Sequence, residues 1–275
     1  MPYRRETRRT YLSALRTAVK NQPVPDSRPF PLTHITDALR LRSILETGEL
    51  RPRSCRVFGD KRLYVFYARP AYRGGKSGPL HNLNFAPIGF LISPAVARER
   101  APLEVFPFDT GALEHGLLAE DIHPDLTPFD LALEPVLDSA QRLAVLFFGS
   151  EKCYFQGRRS REAVTLRPRP TDADLIAYES LVTRGANLAR DERATSIEFQ
   201  FKESVSIRGK VLAIILPQDF LDDEETRRFL LDANVEPLPY EFIPDHSPKE
   251  YVGVFYREAA AFYERSKQKH GWDWA

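Results

Sequence analysis

The apolar segments of this chain have mainly the composition of β-strands, and they do not alternate regularly with helices. Strands are predicted within PLTHIT, RLYVFY, PIGFLIS, RLAVLFFG, TSIEFQFKES and GKVLAIILP, and YVGVFY is a further candidate. Helices are predicted in ALRLRSILETG, DADLIAYESLVTRG, DFLDDEETRRFLLDAN and YREAAAFYERSKQKH. A regular alternation would indicate a doubly wound parallel sheet. The irregular order predicts the α+β class instead.

Length and composition are those of an ordinary globular protein. The chain has 275 residues, of which 43% are hydrophobic, so it can bury a substantial core. We assign residues 25–275 to a single domain and expect a basic amphipathic helix within residues 1–24 to pack on it. The stretch near 101–137 is rich in proline, aspartate and histidine and has no clear period, which predicts an insertion or a long covering loop.

The charge balance and the cysteines limit where the protein acts and what it binds. The 39 basic and 38 acidic residues give a net charge of +1, so any site for a polyanion must be local. Cys55 and Cys153 lie far apart, which favours a reducing, cytoplasmic compartment. The N-terminal segment lacks the apolar core of a signal peptide, and no segment has the length of a membrane span. The spacing of the histidines and cysteines predicts no metal site.

The first candidate site lies in the first predicted strand. His34 and Thr36 are two residues apart, so their side chains share one face of the strand. An imidazole beside a hydroxyl can donate and accept hydrogen bonds, as recognition of a ribose or an amide requires. A structural histidine with satisfied hydrogen bonds is the alternative interpretation.

The second candidate site follows the strand RLYVFY. Tyr67, Arg69, Tyr72 and Arg73 lie close together around its end. Arginine matches phosphate oxygens with paired hydrogen bonds, and tyrosine can stack on a planar ring. The alternative interpretation is a turn that is merely stabilised by salt bridges.

The third candidate is the carboxylate of Glu198. Residues 195–202 alternate between polar and apolar, which places Glu198 on one face with Ser196 and Gln200. Such a polar face is usually solvated, and a catalytic carboxylate is the alternative. Glu203 competes for the same role, but in a regular strand it faces the opposite side.

Together these segments resemble the ADP-ribosyltransferase fold, and within it the DarT-type family of DNA-modifying toxins. The shared order is a His-x-Thr strand followed by an I-L-x-x-G helix, a strand ending in an aromatic-x-Arg-Pro turn, and a distant strand that carries glutamate. The resemblance covers residues 31 to about 75 and residues 194–217. It implies split mixed and antiparallel β-sheets with flanking helices.

The resemblance also implies a role for each matched residue. Glu198 would orient the nicotinamide ribose of NAD+ and assist transfer, and Arg69 would hold the dinucleotide and the developing charge. Arg69 is directly followed by proline, so Arg73 is the alternative arginine that faces the phosphates. The implied contacts for NAD+ are His34, Thr36, Tyr67, Tyr72 and Arg73.

The implied activity is cleavage of the nicotinamide–ribose bond and transfer of ADP-ribose, as in a bacterial toxin or defence effector. Position 196 is serine, unlike in the arginine- or asparagine-modifying toxins, so DNA, RNA, protein and water all remain possible acceptors. The basic N-terminal helix and the arginines between residues 51 and 73 favour a nucleic acid. Transfer to water would make the protein an NAD+ glycohydrolase.

Two further expectations concern a partner protein and an alternative function. The resemblance implies a neutralising antitoxin or inhibitor protein. A function of another class is a non-catalytic module that binds a nucleotide or a partner protein without turning it over.

Overall fold

A mixed sheet of eight strands forms the centre of the computed structural model, which describes residues 13–55, 57–71, 78–118, 121–132, 135–185 and 191–274. Its strands are β1 (Leu32–Asp37), β3 (Arg53–Ser54), β4 (Lys61–Tyr67), β5 (Pro87–Ile92), β6 (Glu104–Phe106), β7 (Glu198–Phe201), β9 (Val211–Pro217) and β10 (Glu236–Tyr240). A separate two-stranded sheet is formed by β2 (Glu49–Leu50) and β8 (Val205–Ser206).

The main sheet has the order β10-β9-β5-β1-β4-β7-β6, and the short strand β3 also pairs with β4. β9 and β10 are parallel, whereas the other pairs within the described residues are antiparallel. The flanking helices are α1 (Ala14–Asn21), α2 (Leu41–Thr47), α3 (Ala95–Glu99), α4 (Thr110–Glu114), α5 (Val136–Phe148), α6 (Glu151–Phe155), α7 (Ala173–Gly185), α8 (Glu224–Ala233) and α9 (Pro248–His270). The predicted α+β class is confirmed.

Two segments that were predicted as strands are helical. RLAVLFFG lies in α5, and YVGVFY lies in α9. In α5 the consecutive residues Leu146, Phe147 and Phe148 are all buried, so the segment has the unbroken apolar run that a buried strand would also have. α9 begins with a capping box between Ser247 and Glu250, a helix signal that precedes the apolar residues.

The connection from β1 to α2 differs from the prediction at one end. Aspartate directly before an apolar helical segment predicts that Asp37 caps the helix, but its side chain makes no capping hydrogen bond and pairs with Arg40, with Oδ2 3.2 Å from Nε. That prediction is wrong because the neighbouring cation competes for the carboxylate. α2 ends at Gly48, as expected, where φ is +66°, a value that glycine adopts at little cost.

β10 was not predicted from the sequence, because its sequence EPLPY contains two prolines. Proline cannot donate a hydrogen bond to a strand ladder, so it is tolerated mainly in edge strands. β10 is an edge strand, and its alternate residues Leu238 and Tyr240 are buried while Pro237 and Pro239 are exposed. Burial of one face therefore supports a strand that its composition opposes.

The stretch near 101–137 contributes directly to the main sheet. Its strand β6 pairs with β7, with Glu104 opposite Gln200 and Phe106 opposite Glu198. Helix α4 follows and begins at Thr110. This stretch therefore lies beside the strand that carries the candidate catalytic carboxylate.

The described part of the predicted N-terminal helix is α1, which packs against α5 and α7. The backbone amide of Leu15 donates to Asp174 Oδ2 at 3.0 Å. Residues 1–12 lie outside the described residues. The assignment of residues 25–275 to one domain stays a prediction. No helix in the described ranges combines the length and apolar character that crossing a membrane requires.

Gly149 ends α5 at a position where a side chain should be costly. Its φ is +88°, and an added Cβ would overlap Ser160 Oγ and lie 2.9 Å from Ala163 N. We expect Gly149→Ala to lower the free energy of unfolding by about 3 kcal/mol, because backbone strain and steric overlap add. Urea denaturation measures this loss.

Gly209→Ala is the matched control for Gly149→Ala. Gly209 has a φ of +72°, but no heavy atom lies within 4 Å of an added Cβ. Only the backbone strain remains, so we expect a loss of about 1 kcal/mol. Equal losses in the two variants would contradict the steric part of the argument.

Candidate active site

Glu198 lies at the start of β7, between two neighbouring strands. Its Cα is paired with Phe66 of β4 and with Phe106 of β6, and its side chain is 1% exposed. Carboxylate Oε1 accepts hydrogen bonds from Thr110 Oγ1 at 2.8 Å and from the Gln200 amide, and Oε2 accepts from Thr110 N at 3.3 Å. The polar face of this strand is therefore buried, not solvated.

Burial and charge both alter the titration of this site. Burial raises the pKa of Glu198 well above its ordinary value, and the negative charge of Asp109 raises it further. Hydrogen bonds from Gln200 and Thr110 act in the opposite direction. Burial also raises the pKa of Asp109. The site thus holds two buried carboxyl groups whose simultaneous ionisation is costly.

Arg62 orients the Gln200 side chain, which donates to Glu198. Its guanidinium donates to Gln200 Oε1 and to Glu104, and its Nε donates to Asp60 Oδ1 at 2.6 Å. Arg62, Glu104 and Gln200 are buried. Because the Gln200 oxygen accepts from Arg62, the amide NH₂ is directed at Glu198.

The sheet register places His34 and Thr36 on the face opposite to that of Glu198. Thr33 pairs with Phe66, and Phe66 pairs with Glu198. Paired residues face the same side and successive residues alternate, so Thr33 shares the Glu198 face. The structure therefore brings His34 and Thr36 together, as predicted, but on the other face.

His34 is held between β1 and β4. Its Nδ1 lies 2.8 Å from the carbonyl oxygen of Tyr64. Burial lowers the pKa of His34, and the nearby Arg40 lowers it further. A neutral imidazole in this position donates Nδ1–H to the carbonyl, which leaves Nε2 as a hydrogen-bond acceptor.

Tyr67 and Arg69 are fully buried and make their hydrogen bonds within the protein. The Tyr67 hydroxyl donates to Glu151. The Arg69 guanidinium donates to the Tyr154 carbonyl and, at 2.8 Å, to Thr195 Oγ1, and it lies 4.0 Å over the Tyr154 ring. These contacts fix the chain just before β7. Binding of NAD+ by Tyr67 and Arg69 stays a prediction.

Glu151, the acceptor of the Tyr67 hydroxyl, should make stability depend on pH. Burial raises the pKa of Glu151 from 4.5 to about 7, although hydrogen bonds from Tyr67, Gln141 and Ser27 lower it. A carboxyl whose pKa is higher in the folded state stabilises the fold fully below its unfolded pKa and loses this contribution as pH rises. The free energy of unfolding should therefore fall between about pH 4.5 and pH 7.

This fall should be larger in the wild type than in Glu151→Gln by on the order of 3 kcal/mol, because glutamine does not titrate. Urea denaturation across this pH range gives the difference. The exposed Glu162 provides the control Glu162→Gln, which should follow the wild type. Parallel pH profiles for the wild type and Glu151→Gln would refute the expectation.

The remaining candidates are placed as follows. Tyr72 and Arg73 lie outside the described residues. Glu203, the competitor of Glu198, is 70% exposed and lies 3.6 Å from Arg100 in a salt bridge. Within the part of the chain that the structure describes, no group of three or more His, Cys, Asp or Glu side chains is arranged to hold a metal ion.

The sequence analysis did not identify Thr110 as part of the site. The local sequence Asp109-Thr110-Gly111 does contain a helix-start signal, because Asp109 Oδ1 accepts from the backbone amides of Gly111 at 2.7 Å and Ala112 at 3.2 Å. That signal could have predicted α4. The contact with Glu198 spans 88 residues and has no local signal.

No family model and no curated protein sequence matches the chain. A solved structure is similar to it. This structure is DarT from Thermus sp. 2.9 in complex with NAD+, with 13% sequence identity and a TM-score of 0.34, over 78% of this chain and 97% of the Thermus chain. At this identity and TM-score the likeness assigns the chain neither a family nor an activity.

Proposed function

We propose that the chain cleaves the nicotinamide–ribose bond of NAD+ and transfers ADP-ribose to a macromolecular acceptor. The observation that carries the proposal is the position of Glu198. It is a buried strand carboxylate, and hydrogen bonds from Thr110 and Gln200 fix both of its oxygens. The resemblance of the sequence motifs supports NAD+ as the substrate.

The chemistry of this bond requires a fixed negative charge. Cleavage passes through a transition state with oxocarbenium character, as in glycoside hydrolysis. In the proposed reaction Glu198 accepts a hydrogen bond from the ribose 2′-hydroxyl and offsets the positive charge that grows on the sugar. A carboxylate that is already oriented in a site of low dielectric constant does this without reorganisation.

For the nicotinamide end of NAD+ the sequence resemblance implies contacts from His34 and Thr36, but the sheet register places both on the face opposite to Glu198, which counts against one ribose meeting all three. The neutral imidazole of His34 has Nε2 available to accept a hydrogen bond from a ribose hydroxyl or an amide. Tyr67, Tyr72 and Arg73 are further proposed contacts from the sequence resemblance.

We propose a positioning role for Arg69. Its hydrogen bonds to Thr195, three residues before Glu198, hold the start of β7. A direct contact with the pyrophosphate is the role that the sequence resemblance implies, and the two roles predict different effects of the same substitution.

For the acceptor we favour a nucleic-acid base. The proposal rests on the basic residues of the predicted N-terminal helix and on the exposed Arg51 and Arg53, whereas Arg62 and Arg69 of the same stretch are buried and make their hydrogen bonds within the protein. A role as a toxin or defence effector with a neutralising partner is proposed from the resemblance of the sequence motifs, and cytoplasmic action from the wide separation of Cys55 and Cys153.

A module that binds a nucleotide or a partner without turnover is a second candidate. The burial of Glu198 favours it, because a substrate reaches a side chain that is 1% exposed only after a neighbouring segment moves. The internal hydrogen bonds of Tyr67 and Arg69 favour it as well.

Release of nicotinamide from NAD+ by the purified protein separates these functions. The assay is run alone and with single-stranded DNA, RNA or a protein extract. Release that an additive raises supports transfer and indicates the acceptor class, and release that no additive raises indicates a glycohydrolase. A rise in melting temperature with NAD+ but no release supports the binding module. If NAD+ causes neither nicotinamide release nor a rise in melting temperature, both candidates are refuted.

A further inference from the structure

Thr110 contacts the carboxylate of Glu198 from a segment far away in sequence. We propose that Thr110 is a positioning residue, which sets the orientation of the Glu198 carboxylate for the reaction. The stretch near 101–137 then supplies part of the active site rather than only covering it. The proposal rests on the function proposed above.

Two separate hydrogen bonds join Thr110 to the carboxylate. Its hydroxyl donates to Oε1 at 2.8 Å, and its backbone amide donates to Oε2 at 3.3 Å. The Gln200 amide lies 3.4 Å from Thr110 Oγ1 and can donate to it, which directs the hydroxyl hydrogen at Glu198. Because both oxygens are held, rotation of the carboxylate is restricted.

Thr110 is itself anchored to the segment that leads into β7. The backbone amide of Asp109 donates to the carbonyl of Arg193 at 3.0 Å, and Asp109 Oδ2 lies 3.9 Å from Arg193 Nε. Arg193 Nη2 in turn lies 2.6 Å from Asp191 Oδ2. Arg193 precedes Glu198 by five residues, so the anchor and the carboxylate belong to one short segment.

The partner of the Thr110 hydroxyl distinguishes it from the structural threonines of this fold. Thr17, Thr47 and Thr183 each donate to the backbone carbonyl four residues earlier, as helical threonines commonly do. Thr110 instead donates to a buried carboxylate on another element. A hydrogen bond to a charged group contributes more than one between neutral groups.

The experiment compares Thr110→Val, Thr110→Ser and the control Thr183→Val. The readouts are kcat and KM for nicotinamide release, and the titration of the Glu198 carboxyl by infrared difference spectroscopy against Glu198→Gln. We expect Thr110→Val to lower kcat about tenfold or more with little change in KM. The pKa of Glu198 should rise in this variant, because the lost hydrogen bond stabilised the charged form.

Thr110→Ser should restore both the rate and the titration, and Thr183→Val should behave as the wild type. If Thr110→Val does not fold, Thr110→Ala removes the same hydroxyl without adding a methyl group in its place. An unchanged kcat and an unchanged titration in a folded variant overturn the proposal.

The infrared titration also separates this proposal from the proposed function. If the wild type releases no nicotinamide under any condition, the proposed function fails while the titration still reports the Thr110 contact. A shift that serine restores then supports Thr110 as the residue that holds the carboxylate. The absence of a shift overturns that role independently of activity.

Discussion

Glu198→Gln is expected to lower kcat for nicotinamide release from NAD+ by about a hundredfold or more. Glutamine has the size of glutamate but no charge, so it cannot offset the positive charge of an oxocarbenium-like transition state, a contribution of a few kcal/mol. The fold should be retained, because a neutral amide carries no penalty for burial of a charge. Turnover and thermal unfolding, measured on the same samples, separate lost chemistry from lost structure.

The control for this variant is Glu203→Gln, because Glu203 is exposed and pairs with Arg100 at the surface. It should turn over NAD+ as the wild type does. The wild-type rate should also rise with pH, since burial raises the pKa of Glu198 and only the ionised form offsets the charge. Turnover near the wild-type rate in Glu198→Gln would exclude this residue as the catalytic carboxylate.

Arg69→Met is expected to lower the free energy of unfolding by about 3 to 5 kcal/mol. Arg69 is fully buried, and its guanidinium satisfies the carbonyl of Tyr154 and both oxygens of Thr195. Methionine fills part of the volume but leaves the buried Tyr154 carbonyl and the half-buried Thr195 oxygens without these donors. Urea denaturation measures the loss, and the exposed Arg158 provides the control Arg158→Met, which should change stability by less than about 0.5 kcal/mol.

The same variant tests the role that the sequence resemblance implies for Arg69. If Arg69 also binds the pyrophosphate, Arg69→Met should raise KM for NAD+ in addition to lowering stability. If Arg69 holds the segment before β7, stability should fall, and kcat should fall with the disturbed position of Glu198. A variant of wild-type stability would refute the positioning role.

Local signals in the sequence were sufficient for several elements of the fold. The strand that carries His34, the helix that ends at Gly48, and the alternation around Glu198 each depend on a few neighbouring residues, and the structure contains all three. α5 was predicted incorrectly because its buried residues Leu146, Phe147 and Phe148 are consecutive, and a buried strand would have the same apolar run. β10 was missed because its prolines oppose the strand that its edge position permits.

The long-range contacts of the candidate site could not be predicted from such local signals. Alternation indicated that Glu198, Gln200 and their neighbours share a face, but it could not indicate what covers that face. Thr110 and Arg62 cover it, and both contacts join residues that are distant in the sequence. The burial of Arg69 has the same origin, because the acceptors of its hydrogen bonds lie on α6 and before β7.

The prolines of β10 also affect how copies of this protein can meet in solution. An open sheet edge offers backbone N–H and C=O groups to a strand of another molecule, and such pairing leads to aggregation and fibre growth. Pro237 and Pro239 are exposed at this edge and have no N–H to donate. A net charge of +1 gives little repulsion between molecules. The two prolines therefore oppose strand pairing between molecules at this edge, which the small net charge does little to prevent.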